Sequence, residues 1–130
     1  MKNIKRLLFF GILIFTLYFK IQANAQSVEV GSYSFTLYAR ADYLGSTNAV
    51  KKIVKAQKAS VHVGTYTAGG NYPTRARVEG PSFTPESNVS TADTYYLYYV
   101  SEAKYGDYVL KFISSKNNPR NTKIAGSWVP

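Results

Sequence analysis

TYYLYYVS (Thr94–Ser101), EAKYGD (Glu102–Asp107) and YVLKFIS (Tyr108–Ser114) together decide the fold class. Two runs rich in aromatic and β-branched residues flank a short segment containing Gly106, a pattern that predicts two antiparallel strands joined as a β-hairpin. Side chains alternate along a strand, so Tyr95, Leu97 and Tyr99 share one face, and Tyr96, Tyr98 and Val100 the other. In the second run Tyr108, Leu110 and Phe112 oppose Val109, Lys111 and Ile113. Both faces are largely apolar, which places the expected hairpin in the middle of a sheet.

Working outward, Ser32 to Ala41 alternates apolar and polar residues strictly and predicts a strand, with Val28 and Val30 as a short lead-in. Asp42 to Thr47 is a turn around Gly45. Ser60 to Thr67 and Thr74 to Glu79 are further strands, the second with a charged face of Arg75, Arg77 and Glu79. Gly80 to Thr91, with Pro81 and Pro85, is a long surface loop pinned by Phe83. Asn88-Val89-Ser90 matches a glycosylation acceptor, a triplet common by chance. A polar turn over 116–121 leads to a last strand, Thr122 to Val129, where Ile124 and Trp128 share a face and Trp128 plugs one end of the core. About seven short strands separated by turn signals point to an all-β antiparallel sandwich, with a small closed barrel as the alternative.

The segment from Asn48 to Ala59 reads two ways. Val50, Ile53, Val54 and Gln57 lie at helical spacing, whereas the all-β surroundings and the direct run into Ser60 favour an edge strand. Its lysines, Lys51, Lys52, Lys55 and Lys58, form the densest basic run. They are either a solvated edge guarded against pairing or, with Arg75 and Arg77, a contact surface for an anionic partner.

At the other extreme of the chain, Lys2, Lys5 and Arg6 precede an apolar run of 13 residues, Leu7 to Phe19, and Ala23-Asn24-Ala25 follows. These are the parts of a secretory signal peptide spanning 1–25, cleaved after Ala25. As a helix the run reaches only about 20 Å, short of the roughly 30 Å hydrocarbon core a membrane anchor must cross. Cleavage leaves residues 26–130 as a single domain with 12 basic and 7 acidic residues. A net charge near +5 attracts anionic partners such as a cell-wall polymer or a membrane surface, or else serves solubility alone. Nucleic acid is the weaker partner for a secreted chain.

The chain has no cysteine, which removes disulfide frameworks, thiolate metal sites and cysteine nucleophiles, and fits a secreted protein of a Gram-positive bacterium. His62 is the single histidine and no nucleophile elbow accompanies it. The carboxylates are scattered singly, so no metal or cofactor is expected, and a glycosidase-type pair remains open without a mark on which two would form it. Tyrosine is the distinctive residue, 12 in all. One face of the 94–100 run must meet the core. On the other, Tyr96 and Tyr98 either pack across strands or form an aromatic binding platform.

The segment from Ala59 to Val63, the 97–110 region with Glu102 and Tyr105-Gly106, and the ending Gly126-Ser127-Trp128-Val129-Pro130 resemble short secreted proteins of Gram-positive bacteria that end in a Gly-x-Trp-Ser-Pro-Asp pattern. Val129 stands where that group has serine. The resemblance implies a secreted β-sandwich and carries no activity. A more distant likeness, of class alone, is to lactococcin-type bacteriocins. The residues thus lead to three expectations: a secreted, cationic, non-enzymatic binding protein of the cell envelope; a bacteriocin-like antagonist; or an enzyme built on a dispersed carboxylate pair.

Overall fold

The computed structural model describes residues 28–41, 44–68 and 71–130. The expected signal peptide at 1–25 lies outside the described residues, as does part of the 42–47 turn. Among the described residues there is no helix, and nine strands follow in order: β1 (Gly31–Leu37), β2 (Leu44–Ser46), β3 (Val50–Lys52), β4 (Lys58–Tyr66), β5 (Thr74–Glu79), β6 (Ser87–Val89), β7 (Thr94–Tyr98), β8 (Gly106–Ile113) and β9 (Thr122–Val129). They form two antiparallel sheets, one ordered β1-β9-β4-β7, the other β2-β8-β5-β6 with β3 also paired to β8. The sheets do not close on each other, so the architecture is a β-sandwich and not the barrel held as an alternative.

The expected hairpin does not exist. β7 pairs with β4 at the edge of the first sheet, whereas β8 lies in the second between β2 or β3 and β5. Residues 99–105 carry the chain across the sandwich. Tyr99 donates its backbone N–H to Gln57 O at 3.0 Å and turns its ring inward, 5.5 Å from that of Tyr108. The amide of Gln57 then accepts the Ala103 N–H at 3.2 Å, fixing the crossing. Leu97 and Tyr99 therefore meet Tyr108, Leu110 and Phe112 across the core instead of along a ladder, and both apolar runs are explained by inter-sheet burial.

The same alternation builds the rest of the core. Leu37, Val61, Val63, Ile124 and Trp128 project from the first sheet, and Ala76, Val78 and Val89 join the aromatic residues of the second. Each such large side chain contributes roughly 1.5–3 kcal/mol by leaving water. Tyr33 and Phe35 of β1 bridge the layers onto Phe112, with centroids at 4.9 and 6.1 Å. Trp128 is fully buried, as expected of an end plug. Its indole occupies the space beside Gly31, where a Cβ would lie 2.5 Å from Nε1.

Several local expectations change: β1 ends at Leu37 and not at Ala41, β2 lies within the expected 42–47 turn, and β6 lies within the expected 80–91 loop. Val28 and Val30 are exposed and form no strand. The 48–59 segment is two strands, β3 and the start of β4, separated by an irregular 53–57 stretch. Phe83 does not pin the 80–91 loop, being 55% exposed. Thr84 does so instead: its Oγ1 accepts the Val78 N–H and its own N–H reaches Val78 O, both at 3.0 Å. Polar atoms hold this loop because its backbone groups need partners that a phenyl ring cannot supply.

Candidate functional site

The basic residues singled out from sequence separate into two groups. Lys51, Lys52, Lys55 and Lys58 sit where β3 and the start of β4 meet the 99–106 crossing. Lys52 is buried, 2% exposed, because the alternation of β3 turns it inward beside Val50. Its Nζ donates to the Pro130 backbone oxygen at 2.7 Å and lies 5.1 Å from the Tyr99 ring centroid. Burial lowers its pKa. Lys52 is therefore a core residue and not a surface contact.

Its neighbours are exposed, and of the three only Lys55 has an ion pair with a described carboxylate. Lys55 Nζ is 3.6 Å from Glu102 and 5.4 Å from the Tyr105 ring centroid. Lys51 stands opposite Asp107 in the β3–β8 register, and the Glu29 carboxylate accepts its backbone N–H at 2.8 Å. Lys58 Nζ rests 4.2 Å over the Tyr96 ring, a cation–π contact. Tyr96 and Tyr98, 52% and 62% exposed, do lie on the outer face of the first sheet. Their cross-strand neighbours on β4 are Ser60 and Lys58, so this platform is flanked by one short polar side chain and one cation.

Arg75 and Arg77 are elsewhere, on the outer face of the second sheet. Arg75 Nη1 is 3.2 Å and Arg77 Nη1 3.0 Å from the Glu86 carboxylate. Arg77 Nε is 2.7 Å from Glu79, a close ion pair that lacks hydrogen-bond alignment. Lys111 pairs with the other Glu79 oxygen, and its hydrogen bond is the main cause holding that carboxyl below the usual range. Two carboxylates thus occupy three cations, and little positive field is left on this face.

A further basic group, missed from sequence, forms at the far end of the strands. β1 pairs with β9 from Gly31↔Trp128 to Leu37↔Thr122, carrying the chain about 20 Å from the Lys52 end. There the Arg40 N–H donates to Asn118 O at 2.9 Å, and the Ala39 N–H to Asn121 Oδ1 at 2.8 Å. These bonds bring Arg40 to the turn holding Lys116 and Arg120, with Lys123 following at the start of β9. All four are exposed, and none has an ion pair with a described carboxylate. Their signal in the sequence is one-sided charge: residues 108–130 contain Lys111, Lys116, Arg120 and Lys123 and no aspartate or glutamate.

Asn118 makes this end rigid. Buried, it donates from Nδ2 to Thr122 Oγ1 at 2.9 Å, accepts the Arg120 N–H on Oδ1 at 3.0 Å, and sends its own N–H to Ser115 O. Arg40 carries the single non-glycine positive φ among the described residues, 55°, as it turns out of β1 toward this asparagine. Beside the turn opens a cleft of about 380 Å³ lined by Thr67, Asn71, Tyr72, Arg120 and Asn121.

Other chemistry is sparse. His62 is exposed on β4 and shares a 3.1 Å hydrogen bond with Thr94 Oγ1. Among the described residues no cluster of three His, Asp or Glu side chains could hold a metal ion, and no helix is long and apolar enough to cross a membrane. Compared with protein-family models, curated proteins and solved structures, the chain matches none.

Proposed function

We propose that the protein is an extracellular, non-enzymatic binding protein that attaches to an anionic polymer of the bacterial envelope through Arg40, Lys116, Arg120 and Lys123. The observation that carries this reading is the concentration of these four cations, without a described carboxylate partner, around a turn fixed by Asn118. Charges left unpaired on a rigid surface keep their field for a ligand, while those tied to Glu79, Glu86 and Glu102 do not. The amino-terminal pattern of Lys2 to Ala25 supports an extracellular location.

Mobile ions screen attraction between exposed charges over about 10 Å at 0.1 M and about 3 Å at 1 M. Co-sedimentation of the purified protein with isolated Gram-positive cell walls is the test. Retention at low salt and release at high salt are expected; no retention at low salt, or retention indifferent to salt, contradicts the reading.

A further inference from the structure

The geometry points to a carboxylate-bearing saccharide as the ligand of the cleft beside Arg120, an inference that rests on the proposed function and names its chemistry. The cleft, about 380 Å³, is of a size that takes a small sugar unit. Arg120 supplies the single charged side chain on its lining, and its guanidinium carries no ion pair with a described residue. A planar fork of N–H donors matches the two oxygens of one carboxylate.

The remaining lining groups suit a hydroxylated ring. Asn121 uses Oδ1 to accept the Ala39 N–H at 2.8 Å, which leaves its Nδ2 hydrogens for a ligand. Thr67 Oγ1 accepts the Lys123 N–H at 2.7 Å and keeps its O–H to donate. Asn71 adds an exposed amide able both to donate and to accept. Tyr72, 36% exposed, presents a flat apolar ring, and its backbone is held by the Tyr66 hydroxyl, which donates to Tyr72 O at 3.1 Å. Aromatic planes with adjacent amides offer both the apolar and the hydrogen-bonding contacts that a sugar face requires.

A bare polyphosphate needs none of the amides or the ring, and the extra cations it would favour, Lys116 and Lys123, do not line the cleft. The site is also pre-organised. Asn118 fixes the backbone on which Arg120 and Asn121 stand, so little ordering is left for binding to impose.

The experiment is calorimetric titration of the purified protein with oligosaccharides of galacturonic, glucuronic and N-acetylneuraminic acid. Methyl-esterified galacturonan oligomers serve as a neutral ring control, and tripolyphosphate as charge without a ring. At least one acidic oligosaccharide should bind roughly tenfold or more tightly than the ester and than tripolyphosphate, since a charge-assisted bond of ~1.5–3 kcal/mol corresponds to about 10- to 100-fold. Arg120→Gln and Tyr72→Ala should each lose about tenfold, Tyr72→Phe should retain binding, and Lys58→Gln should leave it unchanged. Tripolyphosphate binding as tightly as all three acids, or affinity indifferent to Tyr72→Ala, would overturn the saccharide assignment while leaving charge-driven binding intact. No binding of any anion at low salt would overturn both.

Discussion

Lys52 Nζ donates to the backbone oxygen of Pro130 at 2.7 Å inside the sandwich, tying β3 of one sheet to the residue that follows β9 of the other. An ammonium is being held in the core against the Pro130 backbone oxygen and a tyrosine ring. Loss of hydration on burial disfavours the charged form, which is why its pKa is lowered. The unfolded chain then binds this proton more tightly than the folded one. Stability should therefore rise with pH through the window just below the ordinary lysine value of 10.5. Lys52→Met, similar in shape and uncharged, should flatten that rise and add about 1 kcal/mol at neutral pH. Urea melts of both proteins across that window check this; a variant less stable than wild type at pH 7 contradicts it.

Tyr99 predicts the opposite slope at higher pH. Burial is the first cause raising its pKa above 10.0, with repulsion from Tyr108 second, and its hydroxyl is buried without a hydrogen-bond partner. Above pH 10 the unfolded chain loses the proton that the folded chain keeps, so stability falls. Tyr99→Phe should stabilise the protein at neutral pH by about 1 kcal/mol, by removing the unsatisfied hydroxyl, and weaken the alkaline loss. Thermal melts at neutral and alkaline pH read both effects. Tyr33 adds to the same alkaline loss, since burial raises its pKa too, but its hydroxyl donates to His62 O at 2.8 Å. Tyr33→Phe should therefore cost about 1 kcal/mol where Tyr99→Phe gains.

Gly126 marks the tightest approach in the first sheet. A Cβ there would overlap His62 O and stand 2.9 Å from the Tyr33 hydroxyl, next to the register shift between Val63 and Thr65. Backbone on one side leaves no flexible atom to yield. Gly126→Ala should destabilise by roughly 3 kcal/mol or more, a value reserved for strain and overpacking. Gly64→Ala, where the nearest atom would be 3.8 Å away, is the control and should stay within about 1 kcal/mol in the same denaturant melts.

Much of the fold was legible because single strands write their own pattern. Thr74 to Glu79 alternates in sequence and is strand β5 to the residue, and Thr122 to Val129 is β9 with Ile124 and Trp128 inward. Pairing was not legible. The runs around Tyr96 and Leu110 have the composition of hairpin partners, and nothing local distinguishes meeting along a ladder from meeting across a core. The anchor that decides it, Gln57, lies 46 residues from Ala103.

The surroundings of the basic residues were hidden for a related reason. Four lysines between Lys51 and Lys58 stand out in sequence, yet alternation buries Lys52 and Glu102 meets Lys55. Charge density along a chain counts cations without their partners. Arg40 and Arg120 are 80 positions apart and become neighbours only through β1–β9 pairing and the Asn118 clamp. The absence of carboxylates after Asp107 was the available clue.

The most direct test sets the two basic ends against each other. Arg40, Lys116, Arg120 and Lys123 would be replaced together by glutamine in one variant, and Lys51, Lys55 and Lys58 in a second, leaving buried Lys52 intact in both. Retention on Gram-positive cell walls would be measured for each at low salt. Loss of binding in the first variant, with the second close to wild type, is the predicted result. Full binding by the first variant, or loss confined to the second, would contradict the placement of the binding end beside Asn118.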